Sequence, residues 1–356
     1  MSYDITIPSS FDSEKIRLFE VDEDLLSRLS NGSTQLVMRG DGASEAVLCS
    51  SNTTYLLRTV ESTNTTLLFR QHQNIDPKEK HGTNIIPEAV SSVDHHIELV
   101  KIQPKLQMLR TMLYECPYRG SNEMEGEGNR YSRDDLRKRV QASDAEVEEA
   151  LKDLGAFEIQ GHLRVFAPEY ESELTDTILA EIASNDMQID GFSEESVTDA
   201  VENGSGGEID RGDIRLCLRN FTKNSQRPKC LALDPQRVAV HKANQLFKIK
   251  KIWNLDDFIA QWEAYMPHGL GAPQLDFIGG VAITDKNSIE HYPKWQLAGD
   301  QRTRIRQLFQ KKQFWKTQEI APYVSDIVPP GATTDQFMLK VARMRKTSAG
   351  DVWGAS

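Results

Sequence analysis

The period of the hydrophobic pattern changes once along this chain, at Pro104. Before it, apolar residues come in short β-branched or alternating runs: Leu36-Val37-Met38-Arg39, Ala46-Val47-Leu48-Cys49, TTYLLRTV from Thr53 to Val60, and TTLLF from Thr65 to Phe69. Turn formers separate the first runs, at Gly40-Asp41-Gly42 and Ser50-Ser51-Asn52. The pattern predicts short antiparallel strands joined by tight turns. Such a meander has few residues with which to cover its second face. Two readings stay open. Either partner chains complete an open barrel or sheet, meeting Leu36, Met38, Val47, Tyr55, Leu57, Leu67 and Phe69, or the region is a self-contained small β-domain. A polar loop is expected over Gln71 to Thr83. His95 and His96, adjacent in a strand, point to opposite faces, so one metal ion does not take both.

After Pro104 the spacing becomes helical. Leu106, Leu109, Met112 and Leu113 form one stripe, and a hydrophilic stretch follows from Arg119 to Asn129. Ser132 and Asp135 have the spacing of a capping box, as do Ser143 and Glu146, and Gly155 stands where the second of these helices should end. FEIQGHLRVFA then reads as two strands turning at Gln160-Gly161. Three helices and a hairpin in this order predict a winged helix. Its third helix carries Asp144, Glu146, Glu148, Glu149 and Asp153 against Lys152. Phosphate would repel that helix, so the module is expected to face protein.

The same order predicts a second module, from SELTDTILAEIA through a helix at Ser193 to Val201, another at Ile214 to Phe221 capped by Asp210, and a wing strand at Cys230 to Leu233. A basic amphipathic helix from Val238 to Trp253 closes it. A third module is expected from Leu255 to Ile327, with Gly279-Gly280 at a hairpin turn. Beyond Pro329-Pro330-Gly331, Thr333 to Lys346 reads as a short helix or docking tail. The expected fold is therefore α+β and multidomain: a β-rich assembly domain at 1–103, tandem winged-helix modules at 104–170, 171–253 and 254–328, and a tail at 329–356.

Charge separates the function classes. The net charge of -11 argues against nucleic-acid binding over the whole surface, yet residues 211–251 hold 11 Lys and Arg against 2 acids, and 301–346 hold 10 against 3. These zones nominate Lys223, Arg227, Lys229, Lys248, Lys250, Lys251, Arg302, Arg304, Arg306, Lys311, Lys312 and Lys316 as DNA contacts, against the reading that each is a solvated face. In a helix Arg302 and Arg306 share a face, whereas Ile305, Leu308 and Phe309 lie on another. Phosphate-loop, dinucleotide, nucleophile-elbow and metalloprotease motifs do not occur, and Cys49, Cys116, Cys217 and Cys230 form no metal-binding pair. No catalytic residue, cofactor, metal or small-molecule substrate is expected. No run approaches the roughly twenty apolar residues that span a bilayer, so no membrane role is expected and the chain belongs in the cytosol or nucleus.

Four segments carry a family resemblance: LVMRGDGASEAVLCSSNTTYLLRTVESTNTTLLF, HIELVKIQPKLQML, YSRDDLRKRVQASDAEVEEALKDLGAFEIQGHLRV and FQKKQFWKTQEIAPYVSDI. In their joint order the chain resembles the "defective in sister chromatid cohesion" (DCC) family, accessory subunits of the alternative replication factor C that contains the chromosome-transmission-fidelity proteins. The resemblance implies a nuclear, non-catalytic scaffold. Its β-domain would join a small chromosome-transmission-fidelity subunit and the C-terminal tail of the large clamp-loader subunit. Its first winged helix would contact the catalytic subunit of DNA polymerase epsilon, and the later ones DNA, in service of sliding-clamp loading and cohesion. The alternative from the residues alone is an independent winged-helix transcription or chromatin factor. The two differ in whether the β-domain requires partner chains.

Overall fold

In the computed structural model, residues 16–40, 45–73, 85–121, 128–227, 229–347 and 350–355 are described. Among them are twelve α-helices and several small sheets, a mixed α+β architecture, divided into two units: 1–102 with 141–143, and 103–140 with 144–356.

The first unit holds β1 (Phe19–Glu20), α1 (Glu23–Ser30), β2 (Val37–Arg39), β3 (Val47–Cys49), β4 (Thr54–Gln73) and β5 (Ile85–Ile102). They form one five-stranded sheet in the order β1-β5-β4-β3-β2, in which β1 alone pairs in parallel. The sheet does not close among the described residues, because β1 and β2 end it without meeting. Asp22 opens α1 by accepting from Leu25 N at 2.8 Å, and Leu25 packs with Leu48 and Tyr55 as the buried centre. Arg39 Nη1 donates to Ala142 O at 2.6 Å and Ser143 N to Thr54 Oγ1 at 3.0 Å, which ties 141–143 to this sheet.

The strands expected at Thr53–Val60 and Thr65–Phe69 are one strand of 20 residues. Pairing with β5 runs to Glu61↔His95, jumps, and resumes at Thr66↔Val93. The turn-forming Ser62 to Thr65 are absorbed in a bulge that interrupts the ladder without reversing the chain. The loop expected over 71–83 begins later than that, since Gln71–Gln73 still extend β4; residues 74–84 lie outside the described residues.

The second unit begins with α2 (Gln107–Glu115), α3 (Arg133–Arg139), α4 (Asp144–Asp153), β6 (Phe157–Ile159) and β7 (His162–Arg164). Ser132 and Asp135 form the reciprocal capping box at the head of α3. At the end of α4, Gly155 takes φ +64°, Ala156 N donates to Leu151 O at 2.8 Å and Gly155 N to Lys152 O at 3.1 Å, a Schellman closure. Gln160 and Gly161, at φ 51° and 79°, turn β6 back into β7.

Next come α5 (Pro168–Ser184), α6 (Glu194–Gly204), α7 (Arg211–Phe221), β8 (Thr222–Asn224) and β9 (Leu231–Leu233). This group shares its core with the group before it, since Tyr118, Phe157 and Phe166 pack with Ile178, Ile214 and Leu218. A third group comprises α8 (Pro235–Ile249), β10 (Ile252–Asn254), α9 (Leu255–Tyr265), a 3-10 turn at Leu275–Ile278, β11 (Ala282–Asp285) and β12 (Ser288–His291). After a second 3-10 turn, Lys294–Gln296, a fourth follows: α10 (Gln301–Lys311), β13 (Phe314–Trp315), α11 (Thr317–Val324), α12 (Thr334–Val341), β14 (Arg343–Thr347) and β15 (Gly350–Gly354).

The helix-and-hairpin order thus recurs four times where three were expected, for two physical reasons. First, α8 does not close the second group. Its Ala243, Leu246 and Phe247 bury against Phe258, Trp262 and Ile289, all of which follow it in the chain, and Trp253 lies in β10 rather than in the helix. Second, the expected tail is folded. Thr333 and Gln336 box the start of α12, and Phe337, Met338 and Trp353 share a core with Trp315, Ile320 and Tyr323. Trp353 Nε1 donates to Thr317 Oγ1 at 2.9 Å, anchoring β15 to α11. The Gly279-Gly280 pair is not the hairpin turn either, since β11 and β12 turn at Lys286, φ 43°. A Cβ on Gly279 would stand 3.0 Å from Pro322 Cγ, so glycine is what lets α11 approach there.

Candidate interaction surfaces

Of the residues nominated for a partner interface, Met38 (63% exposed), Leu67 and Phe69 present their side chains to solvent. Val47 and Tyr55 do not, at 0% and 3%, because they fill the unit's own core, against which Leu36 and Leu57 pack in part. The sheet adds apolar surface that the pattern alone did not nominate: Phe19 on β1 and Val37 on β2 are exposed, and both lie on strands that end the sheet. An end strand leaves one row of backbone donors and acceptors without a neighbouring strand, so apolar side chains there form a ready template for another strand.

The basic nominees divide three ways. Lys223, Arg227 and Lys229 lie on β8 and the turn that follows it, and Lys248, Lys250 and Lys251 are exposed at the end of α8. In the last zone the structure withdraws three. Arg304 is 4% exposed and pairs with Asp326 at 2.6 Å while donating to Ala298 O; Lys311 pairs with Glu290; and Lys312 pairs with Glu319 at 2.8 Å and donates to Thr284 O. These three fix the fourth group internally and to β11 and β12, and are not offered to a ligand. Arg302, Arg306 and Lys316 remain exposed. Four exposed cations not nominated individually, Lys340, Arg343, Arg345 and Lys346, follow on α12 and β14. None of the four has a salt bridge among the described residues. Their signal was the alternation in Arg343-Met344-Arg345-Lys346-Thr347, a strand pattern immediately after a helix.

The acidic α4 is partly neutralised from within its own group: Arg133 of α3 pairs with Glu148, and Arg137 with Asp144 at 3.2 Å. Glu149 and Asp153 stay exposed. A second ion network, Arg211 with Glu195, Asp199 and Glu202, clamps α6 to α7, and its carboxylate hydrogen bonds raise the guanidinium pKa.

Buried polar groups serve packing. Asp213 accepts from Tyr170 OH at 2.7 Å and from Tyr118 OH at 3.3 Å; burial pushes its pKa up although both hydrogen bonds oppose the shift. Burial also works against charge on Asp176, but the hydrogen bonds from His241 and Lys242 prevail and hold it at about 2. These pairs join α5 to α8. A cavity of about 770 Å³ lies beside them, with cations and acids mixed in its wall, Arg110, Lys152, Glu171 and Arg237 among them. No group of three or more His, Cys, Asp or Glu is placed to hold a metal ion among the described residues, and the four cysteines are free. No described helix is long and apolar enough to cross a membrane.

Fold and surface together define a modular α+β chain whose distinguishing features are faces: an open sheet with apolar end strands, and helical groups that differ in charge. The chain belongs to the Dcc1 family, whose model, sister chromatid cohesion protein Dcc1, matches residues 16–324. It is 29% identical to the sister chromatid cohesion protein DCC1 of Xenopus tropicalis over 95% of this chain and 88% of that one. The human protein of that name is 26% identical, over 91% and 84%. The probable DCC1 of Dictyostelium discoideum is 25% identical, over 98% and 95%.

Proposed function

We propose that this chain is a non-catalytic nuclear scaffold of an alternative replication factor C clamp loader, which links the loader to DNA polymerase epsilon and to DNA for loading of the sliding clamp (PCNA) and sister chromatid cohesion. The observation that carries the reading is the open five-stranded sheet with exposed Phe19, Val37 and Met38 on its end strands. A small clamp-loader subunit and the tail of the large subunit would add strands there and complete a barrel-like structure. The helical groups act as winged helices. The first, with its acidic α4, faces the polymerase; the later ones meet DNA through Lys223 and Lys229 on one wing and Arg343, Arg345 and Lys346 on another. Backbone phosphate contacts of this kind give salt-sensitive binding with little sequence preference.

The test is co-expression of the full chain with the small subunit and the large-subunit tail, read by light scattering after size-exclusion chromatography. A stoichiometric complex that Met38→Asp with Val37→Asp abolishes is the expected result. A monodisperse chain that ignores both partners would favour an independent winged-helix DNA-binding factor.

A further inference from the structure

One cavity serves neither the fold nor the proposed role. It measures about 330 Å³ and lies in the fourth group, with Ile305, Phe309, Val341 and Ala355 as its apolar lining and Arg302 and Arg306 at its rim. The two arginines are one helical turn apart on α10, exposed, and without a salt bridge among the described residues. No carboxylate lines the cavity. Asp300, whose charge Arg306 favours, is committed to the helix start, where it accepts from Thr303 N at 2.8 Å. Arg343, opposite Gly354 in the β14–β15 register, adds a third cation next to Ala355.

A phosphate backbone has no use for a hydrocarbon-lined hole, and an uncharged apolar ligand has none for two unpaired guanidiniums. Both are satisfied by a peptide that seats one bulky side chain in the hole while its carboxylates meet the arginines in paired, charge-assisted hydrogen bonds. The volume is at the small end of binding pockets, about 300 Å³ and upward, which suits a single anchor. We propose that this cavity is a docking socket for an acidic peptide segment carrying one bulky aliphatic or aromatic anchor. The socket is independent of the wing cations assigned to DNA.

The test uses the full chain and fluorescein-labelled acidic decapeptides of Asp and Glu whose central residue is Ala, Leu or Phe, read by fluorescence anisotropy. The Leu and Phe peptides are expected to bind roughly tenfold or more tighter than the Ala peptide. The preference should vanish in Ala355→Trp, which plugs the hole from an exposed position near the chain end, and binding should be lost in Arg302→Glu with Arg306→Glu. Circular dichroism of both variants should match the parent. Equal binding of all three peptides, or none at millimolar concentration, would overturn the socket. So would a loss of duplex-DNA affinity in Ala355→Trp, which would reassign the site to nucleic acid, or concentration-dependent self-association that Ala355→Trp abolishes, which would reassign it to a second copy.

Discussion

The first and fourth helical groups are built in the same order, helix, helix, helix, hairpin, and carry opposite surfaces. On α4 the acids outnumber the single lysine, and the arginines of α3 draw Asp144 and Glu148 inward as partners. On α12 and β14 the cations dominate and go unpaired; Arg345 only lies over the Phe314 ring, 5.2 Å from its centroid. The cores do the same job in both, an apolar cluster under three helices. What differs is the outer layer of charge, which decides what approaches. One helical architecture thus serves two classes of partner within one chain.

The sharpest way to break the comparison is at the core of the basic group. Trp353→Ala removes a side chain that is 1% exposed and packs with Trp315 and Tyr323, and should cost about 3–5 kcal/mol. Chemical denaturation should then show residues 301–355 unfolding before the rest. Charge reversal comes next. Replacing Arg343, Arg345 and Lys346 by Glu should weaken duplex binding by on the order of a hundredfold and flatten its salt dependence, read by anisotropy at several salt concentrations. Glu149→Lys with Asp153→Lys in α4 should weaken polymerase binding and leave the wing contacts to DNA intact.

Smaller effects sharpen the account of how the groups are joined. Asp176 is held at about 2 against its ordinary 3.8, so its contribution is full above the unfolded value and lost as pH falls through about 2. Because this carboxylate is 40% exposed, solvent screening limits Asp176→Ala to about 1 kcal/mol at neutral pH. The difference from the parent should shrink steadily in melts taken toward pH 2. Ser132→Ala, which removes the capping box of α3, should cost about 1 kcal/mol or somewhat less in the same assay.

Much of the helical half was legible because its signals are local. Ser132 with Asp135, Gly155, Gln160-Gly161 and Asp210 each fix a boundary through bonds to residues two to five positions away, and each stands where the pattern placed it. What was misread depends on distant residues. The amphipathic face of α8 shows that something covers it, not that Phe258 and Trp262 do, so the helix was counted with the group before it. Ser62 to Thr65 are turn formers by type, yet β5 continues past them and holds β4 in register. On the candidate surfaces, Arg304, Lys311 and Lys312 are cations in a basic run, and only their partners Asp326, Glu290 and Glu319 show them to be structural. Val47 and Tyr55 alternate like interface residues because the alternation that marks a buried face does not say whose core it enters.

Hydrogen–deuterium exchange of the full chain with and without duplex DNA tests the central contrast most directly. The account predicts protection over 340–347 and 222–231 and unchanged exchange over 144–153. Protection concentrated on α4, with α12 and β14 unaffected, would contradict it.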